Sequence, residues 1–410
     1  MWNPPVTNSE KNQERGRQVI SPRAEATELV RGGLTRTHFD ETAEAIFATS
    51  GYVYSTAAEA EATFAGERER FIYSRYGNPT VAMFEERLRL IEGAEACLAT
   101  ASGMAAVFAS LASVVSSGDR VVTSRALFGS CSVIANEILP RFGVDIANVD
   151  GSSVDEWAAA LSEPTRAVFL ESPSNPGLQI VDIEAVAKLA HAVGAIVVVD
   201  NVFASPVLQK PLELGADVVV YSATKHIDGQ GRVLGGAVLG TQQYVDDYLM
   251  PFLRHTGPSL SPFNAWTLVK GLETLRLRVD AESASAATIA AQLEGNQRLR
   301  DVRYPGLPSH PQHDLSMRQM SAGGTILTIT IDGDKAATFR FLDALRLFDI
   351  SNNVGDSKSL VTHPATTTHR RLGPDGRALV GIGESMVRLS IGLEDTNELL
   401  ADVVEALEEM

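Results

Sequence analysis

The residue on which chemistry can turn is a lysine at the end of an apolar run. Asp217-Val218-Val219-Val220-Tyr221-Ser222-Ala223-Thr224-Lys225-His226 reads as a short, buried, β-branched strand that closes in small hydroxyl residues and then Lys225. Upstream, Ala195-Ile196-Val197-Val198-Val199-Asp200 repeats the pattern with a carboxylate at its end. In a parallel α/β sheet, ligands gather at the carboxyl ends of the strands, which is where Lys225 and Asp200 fall. An amine and a carboxylate at neighbouring strand ends suit pyridoxal 5'-phosphate. Lys225 would form a Schiff base with the aldehyde, and Asp200 would keep the ring nitrogen protonated so that the ring accepts electrons. The plain alternative is a solvated strand-end lysine. Ser222-Ala223-Thr224-Lys225 also fits the S-x-x-K pattern of penicillin-binding proteins, but the companion S-D-N and K-T-G motifs are absent. Here the serine closes a strand instead of opening a helix.

The elements that must hold these two residues follow from punctuation in the chain. Asn78 suits a helix N-cap and Pro79 the first helical position, after which Met83, Phe84, Arg87, Leu88 and Ile91 recur at helical spacing up to Gly93. Just before that helix, Tyr73 and Arg75 are candidate phosphate donors, since arginine grips phosphate with two parallel hydrogen bonds; a loop leading into a helix explains them equally well. Ser102-Gly103-Met104-Ala105-Ala106 opens another helix, whose free amides and small residues allow an anion to approach. Arg120 to Ser124 is expected as a strand, with Leu127-Phe128-Gly129-Ser130 just past its end. Arg166 to Glu171 is another, leading into the rigid turn Ser172-Pro173-Ser174-Asn175-Pro176. Asp182 then caps a helix stopped by Gly194. Strands alternating with helices predict a parallel, doubly wound sheet with right-handed crossovers. The glycines from Asp228 to Gly236 fit no dinucleotide fingerprint. They are expected to let the backbone pass close to a cofactor.

The last third changes character. A long helical region is expected from about Pro262 to Leu293. Leu327, Ile329 and Ile331 alternate with threonines as in a half-buried antiparallel strand. Phe339 to Phe348 reads as a helix, Met386 to Ile391 alternates with Arg388 opposite Val387 and Leu389, and Glu394 to Met410 closes as an amphipathic helix. This predicts a smaller α+β domain over 264–410, following a cofactor-binding domain over 73–263. Residues 1–72 are expected as a polar tail and an arm that wraps a second subunit, with short helices over Glu28 to Gly33 and Ala57 to Phe64.

Composition sets limits. The chain has 410 residues, 35 basic against 51 acidic side chains and a net charge of −16, which disfavours nucleic acid and anionic membrane surfaces as partners. No apolar run is long enough to span a bilayer. Cys97 and Cys131 sit among apolar or small residues and are expected as reduced core thiols, so a cytoplasmic protein is the default. His310, His313, His363 and His369 lack partners at ligand spacing, and no metal is expected.

Taken in order, these motifs resemble one family: the pyridoxal-phosphate-dependent Cys/Met metabolism enzymes of the aspartate-aminotransferase fold, which include cystathionine γ-synthases, methionine γ-lyases and homoserine sulfhydrylases. The resemblance runs from about Thr35 to Leu400 and adds His363-Pro364-Ala365 and Val387-Arg388-Leu389-Ser390 to the motifs above. It implies a fold type I architecture, with a mostly parallel seven-stranded sheet and helices on both faces. It also implies that Lys225 is the cofactor lysine and proton shuttle, that Asp200 partners the pyridine nitrogen, and that Phe128 stacks on the ring. Ser102, Gly103, Met104, Ser222 and Thr224 would form the phosphate cup. Tyr73 and Arg75 would reach the neighbouring subunit's phosphate in a homotetramer built as a dimer of dimers. Arg388, with Ser359, Asn175 and Tyr54, would bind the substrate. Many relatives carry a tyrosine where this chain has Phe128. A thiol leaving group benefits from a proton donor, whereas a carboxylate such as succinate leaves unprotonated. Phe128 therefore points toward γ-replacement at an acyl-activated homoserine; that the acyl group is succinyl and the acceptor sulfide is what the resemblance implies. Cysteine or water as the acceptor, an acetyl ester, and a non-catalytic relative that only binds the cofactor are the alternatives.

Overall fold

The computed structural model describes residues 23–410, so the polar tail expected from Met1 to Ser21 lies outside the described residues. Seven strands make the larger sheet: β1 (Ala96–Thr100), β2 (Arg120–Ser124), β3 (Asp145–Val149), β4 (Ala167–Glu171), β5 (Ile196–Asp200), β6 (Val218–Tyr221) and β7 (Gly236–Gly240). Their order is β1-β7-β6-β5-β4-β2-β3. The ladders from β6 through β5, β4 and β2 to β3 are parallel, while β7 runs antiparallel between β6 and β1.

The valine runs explain the layering. Successive residues of a strand point to opposite faces, so a strand covered on both sides must be apolar at every position. Val198, Val218 and Val220 pack with Ala106 and Val107 of the helix Gly103–Ala112, whereas Val197 and Val199 pack with Ile183 and Val186 of the helix Ile183–Ala192. Capping is as the sequence predicts. Asn78 accepts the Thr80 N–H at 2.9 Å with Pro79 behind it, Asp182 accepts the Ala185 N–H at 3.1 Å, and Gly93 ends its helix at φ +81°. The parallel ladders place the carboxyl ends of β4, β5 and β6 side by side.

The smaller sheet consists of β8 (Leu299–Arg303), β9 (Ile326–Ile331), β10 (Asp349–Ile350), β11 (Leu360–Thr362) and β12 (Met386–Ser390), in the order β10-β11-β12-β9-β8. Ile289, Leu293, Phe341, Val403 and Leu407 from three helices join Leu327, Ile329, Val387 and Leu389 in its core.

Three expectations need correction. The helical region from Pro262 is two helices, Pro262–Glu273 and Leu275–Leu293, parted at Thr274. There Gly271 lies so close to the Ile227 carbonyl that a Cβ would sit 2.2 Å from it, and Arg278 donates to the Gly271 carbonyl at 2.9 Å, satisfying an acceptor that the helix end leaves open. β9 is buried on both faces, because Thr328 turns into the protein and donates to the Pro176 carbonyl at 2.7 Å. The helix expected over Phe339 to Phe348 spans Lys335–Ala344, and Phe348 is buried beyond its end as a core side chain. Among the described residues, no helix is long and apolar enough to cross a membrane.

Candidate active site

The carboxyl ends of β4, β5 and β6 open on a cavity of about 310 Å³. Its lining includes Lys225, Asp200, Phe128, Asn175 and Arg388, and from the expected phosphate cup Ser102, Gly103, Met104, Ser222 and Thr224. Ten residues scattered over most of the chain thus meet in one place, most of them following strands of the larger sheet and Arg388 coming from the smaller one.

Asp200 ends β5 and is 6 % exposed. The Val202 N–H donates to one carboxylate oxygen at 3.1 Å, and the other has only the Cys131 thiol, 4.0 Å away. Burial pushes its pKa up to about 7. One strand away, β4 ends in Glu171, paired in register with Asp200. Its two oxygens accept the backbone N–H groups of Phe128 at 2.7 Å and Asn175 at 2.8 Å. Burial, and then the Asp200 charge, raise the Glu171 pKa well above the carboxylate range. Lys225 lies past β6 with its ammonium on the Asn353 side-chain oxygen, and burial, helped by the Arg388 charge, lowers its pKa to about 8.

Arg388 hangs from β12 and is 2 % exposed. It donates to the Asn175 side-chain oxygen at 2.9 Å and to the carbonyls of Asn352 and Asn353, each at 3.1 Å. Its Nε is buried without a partner. A buried N–H at a cavity wall calls for an acceptor, and a substrate carboxylate would supply one. At the opposite end, Ser102 caps the helix Gly103–Ala112 by accepting the Ala105 N–H at 3.2 Å. A Cβ on Gly103 would stand 2.5 Å from the Cβ of Ser222, so only glycine lets this helix start approach the lysine strand.

These features fit pyridoxal phosphate. Asp200 is a buried carboxylate short of a cationic partner, and a protonated ring nitrogen would be that partner. The helix start beside Ser222 and Thr224 suits a phosphate, and a single lysine faces both.

Four expected residues do not line this cavity. Ser359 is a correction: its hydroxyl donates to Glu394 at 2.8 Å and accepts the Gly392 N–H at 2.9 Å, so it is committed elsewhere. Asn352 and Asn353 stand by Arg388 and Lys225 in its place. Tyr54 lies on the N-terminal arm, with the Arg70 guanidinium 4.6 Å over its ring. Tyr73 is 42 % exposed, and Arg75 donates to the Arg254 carbonyl and stacks 4.7 Å over Tyr76. The glycines after Lys225 also differ from expectation, because they bring the backbone against protein. A Cβ on Gly229 would meet Arg278 at 1.8 Å, and one on Gly236 would meet the Ser102 carbonyl at 2.3 Å. Sequence reasoning missed Glu171, although a charged residue ending a wholly apolar strand beside Asp200 was a visible signal. It had no means of finding Asn352 and Asn353, which no motif marks. Cys97 and Cys131 are both free and buried, and His363 spends its ring on Thr366 and the Glu384 carbonyl.

Comparison with known proteins shows the family. The chain is 61 % identical to an O-succinylhomoserine sulfhydrylase of Mycobacterium tuberculosis, across 94 % of this chain and 96 % of that one. It is 50 % identical to an O-succinylhomoserine sulfhydrylase of Pseudomonas aeruginosa, across 93 % and 94 %. The crystal structure of a putative O-acetylhomoserine (thiol)-lyase from Campylobacter jejuni, which carries a pyridoxyl-lysine, superposes with a TM-score of 0.90 at 32 % identity, covering 94 % of this chain and all of that one. Residues 26–408 match the family described as Cys/Met metabolism PLP-dependent enzymes, and this chain, a fold type I α/β protein with pyridoxal phosphate as its cofactor, belongs to that family.

Proposed function

We propose that this protein replaces the γ-acyloxy group of O-succinyl-L-homoserine by sulfide, giving L-homocysteine and succinate in methionine biosynthesis. The observation that carries the reading is the make-up of the cavity. A cation for the α-carboxylate stands at one end, a lysine of lowered pKa lies within it, and the aromatic wall at Phe128 has no hydroxyl. Relatives named for this reaction align over nearly their whole length.

Pyridoxal phosphate, when bound, supplies an aldehyde for the substrate amine and a ring that withdraws electrons from the α-carbon. The residues do the rest. Asp200 would hold the proton on the ring nitrogen, and the amides of Gly103 and Met104, with the hydroxyls of Ser222 and Thr224, would hold the phosphate. Arg388, steadied by Asn175, takes the substrate α-carboxylate on its open Nε. Lys225, with a pKa near 8, has an appreciable neutral fraction at physiological pH and removes the α-proton, later returning one. A β-proton is lost as well, and its electron pair drives the C–O pair onto the departing succinate; sulfide then forms the C–S bond at the γ-carbon, and protons return to the β- and α-carbons. Phe128 shields the site without donating a proton, which a carboxylate leaving group does not need.

Tyr73, Arg75 and Tyr54 act in the neighbouring subunit's site in this reading, which fits their position outside their own chain's cavity. The assembly is then a homotetramer of paired dimers. The arm ends at about residue 72 and the substrate-clamping domain begins near 264. Two buried free thiols suit the reducing cytoplasm. The deciding experiment supplies O-succinyl- and O-acetylhomoserine, each with sulfide and with cysteine. Homocysteine formed chiefly from the succinyl ester and sulfide is the expected product; cystathionine, or ketobutyrate without sulfur incorporation, overturns the assignment.

A further inference from the structure

The cavity continues outward into a second space of about 310 Å³ whose lining shares Thr224, Lys225, Leu234 and Asn352 with the first. It is the mouth of the site, and Arg232 forms part of its wall. Across both spaces the cationic side chains among the described residues are Lys225, Arg388 and Arg232. Lys225 belongs to the cofactor and Arg388 to the α-carboxylate, so Arg232 has no role in the mechanism above.

Arg232 is a built group. Its backbone N–H donates to Asp228 Oδ2 at 2.6 Å, its Nε to Asp228 Oδ1 at 2.9 Å, and its Nη2 to the Asp228 carbonyl at 2.8 Å. Gly229 at φ +67° and Gly231 at φ +63° make the turn that brings the arginine back onto Asp228. Asp228 is fully buried, while the Arg232 side chain keeps 34 % of its surface exposed. One edge of the guanidinium is thus fixed, and no hydrogen bond from Nη1 exists among the described residues. A planar guanidinium held on one edge can still present its outer N–H groups to a second carboxylate.

We propose that Arg232 binds the distal carboxylate of the acyl leaving group and so selects a dicarboxylic ester over an acetyl ester. This rests on the reaction proposed above and deepens it. A succinyl ester carries one anionic group at the α-carbon and another at the end of its acyl chain. Arg388 and Arg232 supply one cation for each, one inside the cavity and one at its mouth. An acetyl ester has nothing to offer the second.

The test compares steady-state kinetics of the holoenzyme on both esters with sulfide. In Arg232→Leu, kcat/KM for the succinyl ester is expected to fall about tenfold or more, chiefly through KM, with a much smaller change on the acetyl ester. Arg232→Lys should recover part of the loss. Free succinate should inhibit the wild type competitively, better than acetate, and the leucine variant less well. Because leucine leaves Asp228 buried without its partner, Arg232→Lys and Arg232→Gln carry the same comparison if the leucine variant does not fold, with succinate inhibition read on each. Equal losses on both esters, or an unchanged succinyl KM, overturn the role of Arg232 while leaving the sulfhydrylation intact. A wild type that makes homocysteine equally well from both esters also overturns it. A wild type that makes none from either overturns the reaction itself, and this inference with it.

Discussion

Glu171 and Asp200 lie opposite each other at the ends of adjacent parallel strands, two buried carboxyl groups with no basic side chain among the described residues hydrogen-bonded to either. Two such groups resist ionising together. Glu171 uses its oxygens to hold the Phe128 and Asn175 backbones, so it fixes the aromatic wall and the substrate clamp at once. Asp200 is left to face the cavity.

The sign of the pH effect follows. The Asp200 pKa rises on folding from 3.8 to about 7, so its contribution to the stability of cofactor-free protein is full below about pH 4 and is lost as pH rises through about 7. In Asp200→Asn this component vanishes. Thermal midpoints of the two cofactor-free proteins between pH 4 and 8 should diverge, with the wild type falling more steeply toward pH 7; parallel curves would refute the assignment. Adding pyridoxal phosphate should flatten the wild-type curve.

Lys225→Ala is expected to abolish turnover, by several orders of magnitude, together with the cofactor's covalent absorbance band. Rate assays and visible spectra check this, and turnover surviving in the variant would remove Lys225 from the mechanism.

Gly103→Ala drives a methyl group into Ser222 and should separate the helix start from the lysine strand. Overpacking of this kind costs about 1–3 kcal/mol, read from a denaturant midpoint. Cofactor affinity, followed by fluorescence, should weaken in parallel.

Phe128→Tyr restores a proton donor over the ring. Elimination from substrates with thiol leaving groups should rise on the order of tenfold, while the succinyl ester should gain little. A rise on the ester alone would contradict the leaving-group argument.

Ser359→Ala removes hydrogen bonds to Glu394 and Gly392. It should lower stability by about 1–3 kcal/mol without changing the KM for the amino-acid substrate. Asn353→Ala, which strips the acceptor from Lys225, should lower kcat/KM by about tenfold. Reversed outcomes would return Ser359 to the substrate site.

Strands β2, β4, β5 and β6 were legible because burial on both faces makes them apolar runs, and helix ends were legible because Asn78, Asp182 and Gly93 mark them chemically; β3, whose residues are mostly exposed or half-buried, carries no such run. Lys225 and Asp200 could be placed together from strand ends alone. The clamp was harder. Arg388 is visible as a charge in an alternating strand, but its neighbours Asn352 and Asn353 come from an irregular turn whose position depends on how the smaller sheet packs. Ser359 sits in the same stretch and has the right chemistry, yet packing turns it toward Glu394. Thr328 looked solvent-facing for a related reason, since period-two alternation reports side-chain type and not what lies across the face.

The cofactor's supports and the substrate's anchor hang from different sheets. Lys225, Asp200 and Gly103 answer to the strands of one, whereas Arg388 moves with the strands of the other. The seam between them runs through the reacting centre, so holding the vitamin and gripping the amino acid are mechanically separable. A lesion that loosens the smaller sheet, such as loss of Phe341 from its core, should yield a yellow, well-loaded protein that has lost its hold on substrate.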